Sequence, residues 1–145
     1  MYKYTLEPVL SHRKTLEENL QKEMAVCKRL LANEKKRLWI FEKSRTNLLK
    51  EMQQKQQENI TISEIILYLS FIEQLSKDLE KQKERVSEFE NEMEQKREDL
   101  VEAMKNRKTL EKLKDKGLDV YRQDMMRKEQ GFMDEMAING FNRGF

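Results

Sequence analysis

Residues 10–52 read LSHRKTLEENLQKEMAVCKRLLANEKKRLWIFEKSRTNLLKEM, forty-three residues without a glycine or a proline. With Leu10 as heptad position a, the a positions are Leu10, Glu17, Met24, Leu31, Leu38, Arg45 and Met52. The d positions are Arg13, Leu20, Cys27, Glu34, Phe41, Leu48 and Lys55. Nine of these fourteen are apolar, a coiled-coil seam with polar interruptions. Upstream, Pro8 fits a first helical turn, where its missing N–H is not needed. Downstream the periodicity stops in Gln53-Gln54-Lys55-Gln56-Gln57-Glu58-Asn59. Thr61-Ile62-Ser63-Glu64 then fits a capping box that starts a second helix.

The second helix is expected to follow Ile65, Leu69, Ile72, Ser76, Leu79, Lys83, Val86, Glu90, Met93, Arg97, Leu100 and Met104. The stripe continues more weakly through Arg107, Glu111, Lys114, Leu118, Tyr121, Met125 and Phe132. These readings predict an all-α chain, two long helices in an antiparallel coiled-coil hairpin with the second helix longer. The expected bounds are a single hairpin over 1–138: helix 1 about 5–57, a turn about 58–62, and helix 2 about 63–138. Residues 139–145 are expected as a flexible tail. Rises of 1.5 Å per residue make the helices roughly 75 and 110 Å long. Folding about residue 60 pairs position i with about 120 − i, so Leu10 meets the region of Leu110 and Leu48 meets Ile72. Gly117 then falls where the first helix has no more residues to offer, a place for a bend.

Composition supports the same reading. The 145 residues are 39% charged and hold only 4 Gly and 1 Pro, too few turn-formers for sandwiches, barrels or alternating α/β folds. Residues 1–60 hold 13 basic and 8 acidic residues, residues 61–100 hold 6 and 11, and residues 101–145 hold 10 and 8. Arms of opposite sign favour pairing within the chain over self-association of either arm. A net charge of +2 does not suggest nucleic acid as the main partner. Mean hydropathy is −0.94, and the longest strongly apolar run, Ile65 to Ile72, is far short of a bilayer span. No signal peptide is expected, because Lys3 and Glu7 interrupt the start. The expectation is a cytoplasmic protein without direct membrane insertion.

Chemistry-bearing motifs are absent. There is no GxxxxGK[ST], HExxH or GxSxG, and His12 is the only histidine. His12 reads as a solvated helix residue, and Cys27, at a d position, as a small core residue. The acidic run Glu88, Glu90, Glu92 and Glu94 reads as a solvated face. No enzyme activity, cofactor or metal is expected. Polar seam residues, among them Arg13, Glu17, Arg107 and Glu111, either set register or offer charge to a partner at an under-packed end. Trp39, Ile40, Leu49, Leu67 and Phe71 fall off the seam, with Tyr68 and Leu75 flanking it. That second apolar surface reads as a docking patch, as cover for a third element, or as a sign of a different register. Met125, Met126, Phe132, Met133, Met136 and Phe141 form a further apolar group, open to a partner or to weak self-packing.

Tyr4-Thr5-Leu6, Val9-Leu10, Arg13 and Glu17 resemble the opening of the flagellar FliJ proteins. Tyr68-Leu69, Phe71-Ile72 and Leu75 resemble the start of that family's second helix. Lys108-Thr109-Leu110-Glu111-Lys112-Leu113-Lys114 resembles its K-x-L-E-K-L-K stretch, and Glu129-Gln130 with Asp134-Glu135 its closing EQK…DE. Gly131 departs from the pattern, which usually has Lys there. The resemblance implies a stalk and coupling part of the flagellar type III export apparatus. It implies an antiparallel two-helix coiled coil that binds the centre of the hexameric flagellar export ATPase and contacts the export gate's cytoplasmic domain and the export chaperones. It also implies peripheral association with the inner face of the cell membrane through that apparatus. For the ATPase ring the candidates are Arg13, Glu17, Arg107, Lys108, Glu111, Lys112 and Lys114. For the gate or chaperones they are Trp39, Tyr68, Phe71 and Leu75. Two other readings stay open: a homodimeric coiled-coil spacer, and the equivalent stalk of a virulence-type secretion system. The hairpin reading expects a monomer of 17.6 kDa, the spacer a dimer.

Overall fold

A computed structural model describes residues 1–143. Helix α1 runs Glu7–Gln57 and helix α2 runs Ile62–Arg143, packed against each other as an antiparallel pair, with no strand among the described residues. Residues 139–143, expected as a tail, continue α2, while the rest of that expected tail lies outside the described residues. Asn139 and Gly140 disfavour a helix, glycine by about 1 kcal/mol, but no proline follows to end it.

The turn is short. Asn59 has φ 67°, the left-handed conformation that asparagine tolerates after a helix end. Thr61 caps α2, its Oγ1 accepting from the Glu64 amide at 3.2 Å. The Thr61 carbonyl accepts from the Ile65 amide at 3.1 Å.

Contacts divide the chain into two compact units: Leu20–Asp99, and Met1–Asn19 with the residues from Leu100 onward. In the first unit Glu23 meets Lys96, Glu34 meets Gln82, and Glu51 meets Tyr68. In the second, Glu7 meets Lys114 and Glu17 meets Arg107. In each unit the partner number falls as the first rises, the antiparallel pairing the sequence predicts.

Burial fixes the seam. On α1 the buried and half-buried residues from 10 to 52 are the predicted a and d positions, with Leu10 and Leu31 buried; Lys55, the last predicted d residue, is exposed. On α2 the prediction needs correction. The inward residues are Ile65, Tyr68, Ile72, Leu75, Leu79, Gln82, Val86, Phe89, Met93, Lys96 and Leu100, continuing through Ala103, Arg107, Leu110, Lys114, Gly117 and Tyr121. Of the expected stripe, Leu69, Lys83, Glu90 and Arg97 are exposed and the residue before each faces inward, whereas Ser76, Met104, Glu111 and Leu118 are half-buried beside Leu75, Ala103, Leu110 and Gly117. Leu69 is 51% exposed, whereas Tyr68 is half-buried; Lys83 is exposed, whereas Gln82 is buried.

The pairing also runs beyond the start of α1. Tyr2 lies against Gly117 and stacks at a tilt on Tyr121, ring centroids 5.5 Å apart. The Tyr4 hydroxyl donates to the Leu110 carbonyl at 3.0 Å. Gly117 is helical, and its missing side chain makes room for the Tyr2 ring instead of marking a place where α2 runs alone. A Cβ at 117 would run into the Tyr2 hydroxyl. Gly117→Ala should therefore stabilise a Tyr2→Ala chain by about 1 kcal/mol, its helix-propensity gain, and the wild-type chain by much less. Thermal melts of the four chains of that cycle give the coupling.

Candidate functional site

Buried polar residues interrupt the apolar seam in both units. In Leu20–Asp99 the layer is Glu34 with Gln82, 8% and 6% exposed. Gln82 Nε2 donates to Glu34 Oε2 at 2.6 Å and to the Glu34 carbonyl at 2.9 Å. Arg85 and Arg37 stand 3.7 and 4.0 Å from the other carboxylate oxygen. The amide thus meets the carboxylate directly, and the guanidiniums lend charge from the rim.

In the unit carrying the N-terminal residues, Glu17 is buried and accepts from Arg107 Nε, while Arg107 Nη1 donates to Glu111 Oε2 at 2.9 Å. The two carboxylates, Glu17 first, hold the Arg107 pKa above its usual value. Lys114 Nζ lies 2.9 Å from Glu7 Oε2, and that close carboxylate raises the lysine pKa likewise. Four of the seven expected ring-contact residues are thus engaged within the hairpin: Glu17, Arg107, Glu111 and Lys114. Arg13 is half-buried at a seam position. Lys108 and Lys112 are exposed, and neither makes an ion pair among the described residues.

The apolar candidates split. A residue just before a seam position and one just after it lie on opposite sides of an antiparallel pair. Phe71 precedes Ile72, whereas Trp39 follows Leu38. Phe71, 56% exposed, shares an open groove of about 330 Å³ with Leu48, Glu51, Lys55, Glu64, Leu67 and Tyr68. There the Tyr68 hydroxyl donates to Glu51 at 3.2 Å, and Lys55 Nζ lies 5.6 Å from the Tyr68 ring centre. Tyr68 and the Glu51 and Glu64 charges raise the Lys55 pKa, the hydrogen bond with Tyr68 first. Trp39 lines a separate shallow pocket with Glu42, Lys43, Thr46, Asn47 and Lys50, and Lys43 Nζ sits 4.9 Å from its ring centre. Leu75 is half-buried in the seam. The expected patch is therefore two surfaces, with Tyr68 and Phe71 together and Trp39 apart. Sequence reading missed the Tyr2–Gly117–Tyr121 contact. Its signal was the aromatic pair Tyr2 and Tyr4, spaced so that both point to one side of an extended segment.

Among the described residues no cluster of histidine, cysteine or carboxylates could hold a metal ion, and no helix is long and apolar enough to cross a membrane. Both grooves are open to solvent. The fold is that of a helical-hairpin protein. The sequence profile of the flagellar FliJ protein family matches residues 2–144. The chain belongs to that family, whose place is in flagellar, type III protein export. Among solved structures it is similar to CT670 of Chlamydia trachomatis, a YscO homolog. That likeness has a TM-score of 0.62 at 23% identity, over 94% of this chain and 93% of the other, and it establishes the fold. No curated protein sequence matches significantly.

Proposed function

We propose that the protein is a non-enzymatic stalk and coupling component of flagellar type III export. The observation that carries this is the family match over residues 2–144. The unit bearing the N-terminal residues engages the centre of the hexameric export ATPase. Lys108 and Lys112 make the charge contacts, because they are exposed and uncommitted. Arg13 adds a partly buried charge, while Glu17, Arg107, Glu111 and Lys114 hold α2 in place to present them. Long lysine side chains suit a contact that must be made with several equivalent subunits in turn.

The groove of Tyr68 and Phe71, with Leu75 behind it, serves the export gate's cytoplasmic domain or the export chaperones. Trp39 offers a second and separate contact. The chain works as a monomer, peripheral to the membrane through these partners. Phe71→Ala should weaken retention of the gate domain or a chaperone at least about tenfold in a pull-down, because exposed aromatic anchors carry much of such binding energy. Trp39→Ala measured beside it separates the two surfaces. Undiminished binding by Phe71→Ala, with helicity intact, would remove the groove from the reading.

A further inference from the structure

We propose that the Tyr68–Phe71 groove takes an acidic amphipathic helix, seated by an apolar anchor at Phe71 and held by acidic side chains over Arg37, Lys81 and Arg85; this rests on the groove being a docking site. Leu67, Phe71, Asp78, Lys81 and Arg85 on α2, and Arg37 and Ile40 on α1, each immediately precede a seam residue. All therefore lie along the same side of the antiparallel pair. Along that side the chemistry changes. Near the turn the 330 Å³ groove offers the apolar faces of Leu48, Leu67, Tyr68 and Phe71, with Glu51, Lys55 and Glu64 also lining it. Farther along lies a second recess of about 240 Å³ lined by Arg37, Phe41, Asp78, Lys81, Gln82 and Arg85. It has three cations against one anion.

These cations are available. The Arg37 and Arg85 side chains are 58% and 56% exposed, and their one shared anion, Glu34, is held at 2.6 Å by Gln82 while they stand 3.7 Å or more away. Lys81 is exposed and makes no ion pair among the described residues. Phe71 and Lys81 are about 15 Å apart along α2, and Phe71 and Arg85 about 21 Å. A partner helix laid along the channel reaches the cations three to four turns from its anchor. A basic helix would meet the same three cations and be repelled.

Two designed peptides of about 20 residues test this. They share one apolar stripe with a phenylalanine anchor; the polar residues distal to the anchor are glutamate in one and lysine in the other. Fluorescence anisotropy with the full chain should show the glutamate peptide bound at least about tenfold more tightly than the lysine peptide. The difference should shrink in 0.5 M salt, where the screening length is about 4 Å. Phe71→Ala should weaken both peptides. Arg37→Glu with Arg85→Glu should reverse the preference, and Lys81→Glu, which touches no ion pair, should reduce it without disturbing the Glu34 layer. Equal affinity for the two peptides, absence of binding, or a preference that survives Lys81→Glu and the double reversal would overturn the proposal. Charge preference lost while Phe71→Ala still weakens gate or chaperone binding removes this inference and leaves the docking site. The preference present while gate and chaperone binding ignore Phe71 does the reverse.

Discussion

Gln82→Leu will destabilise the chain by about 3 kcal/mol, read as a lower urea midpoint by circular dichroism. Gln82 is 6% exposed and supplies the close donor to the Glu34 carboxylate, itself 8% exposed. Leucine fills the space but leaves a buried charge whose nearest cations stand 3.7 and 4.0 Å away. The loss should come mostly from that stranded carboxylate. Glu34→Leu introduced together with Gln82→Leu should therefore bring stability back to wild type or above, because an apolar layer carries no desolvation penalty. A double chain no more stable than Gln82→Leu alone would mean that the layer contributes net stability through its hydrogen bonds.

Leu79→Ala will cost about 2–5 kcal/mol, the range for a fully buried leucine whose cavity cannot collapse. Leu79 is 1% exposed, packed in the seam of two long helices that can close the gap only by moving together. Leu69→Ala is the matched control. Leu69 is 51% exposed, and its removal should cost within about 0.5 kcal/mol. The two melts measured side by side decide which α2 stripe faces α1. Equal losses would return Leu69 to the seam and overturn the register described above.

That comparison marks where the sequence was ambiguous. On α1 the apolar residues Leu10, Leu31, Leu38, Phe41 and Leu48 have no equally apolar neighbour on one consistent flank, so one stripe stands out. On α2, residues 65, 72, 79, 86, 93 and 100 belong to any seven-residue stripe, but the position between them can fall three or four residues on. Leu69, Met104 and Leu118 are more apolar than Tyr68, Ala103 and Gly117, so hydropathy alone prefers the later set, of which Leu69 is exposed while Met104 and Leu118 are half-buried like their neighbours. Packing chooses the other set because Tyr68 reaches Glu51, Gln82 satisfies Glu34, and Gly117 leaves room for Tyr2. Each of those reasons is a contact about 17 to 115 residues away in sequence, beyond the reach of local periodicity.

The same one-residue shift explains what was legible of the candidate sites. The hairpin and its family resemblance rested on composition, on the Thr61 cap and on short motifs, all local features. Which charges remain free depended on pairings: Glu17 takes Arg107, Glu7 takes Lys114, and Lys108 and Lys112 are left outward. Tyr68 and Leu75 turned inward with the corrected stripe, and Trp39 fell on the other side from Phe71.

The most direct test of the stalk reading is the hydrolysis rate of the flagellar export ATPase with and without this protein. Stimulation by the wild-type chain, reduced at least about tenfold in apparent affinity by Lys108→Glu with Lys112→Glu at unchanged helicity, is the predicted result. Equal stimulation by the charge-reversed and wild-type chains, or none by either, would contradict it.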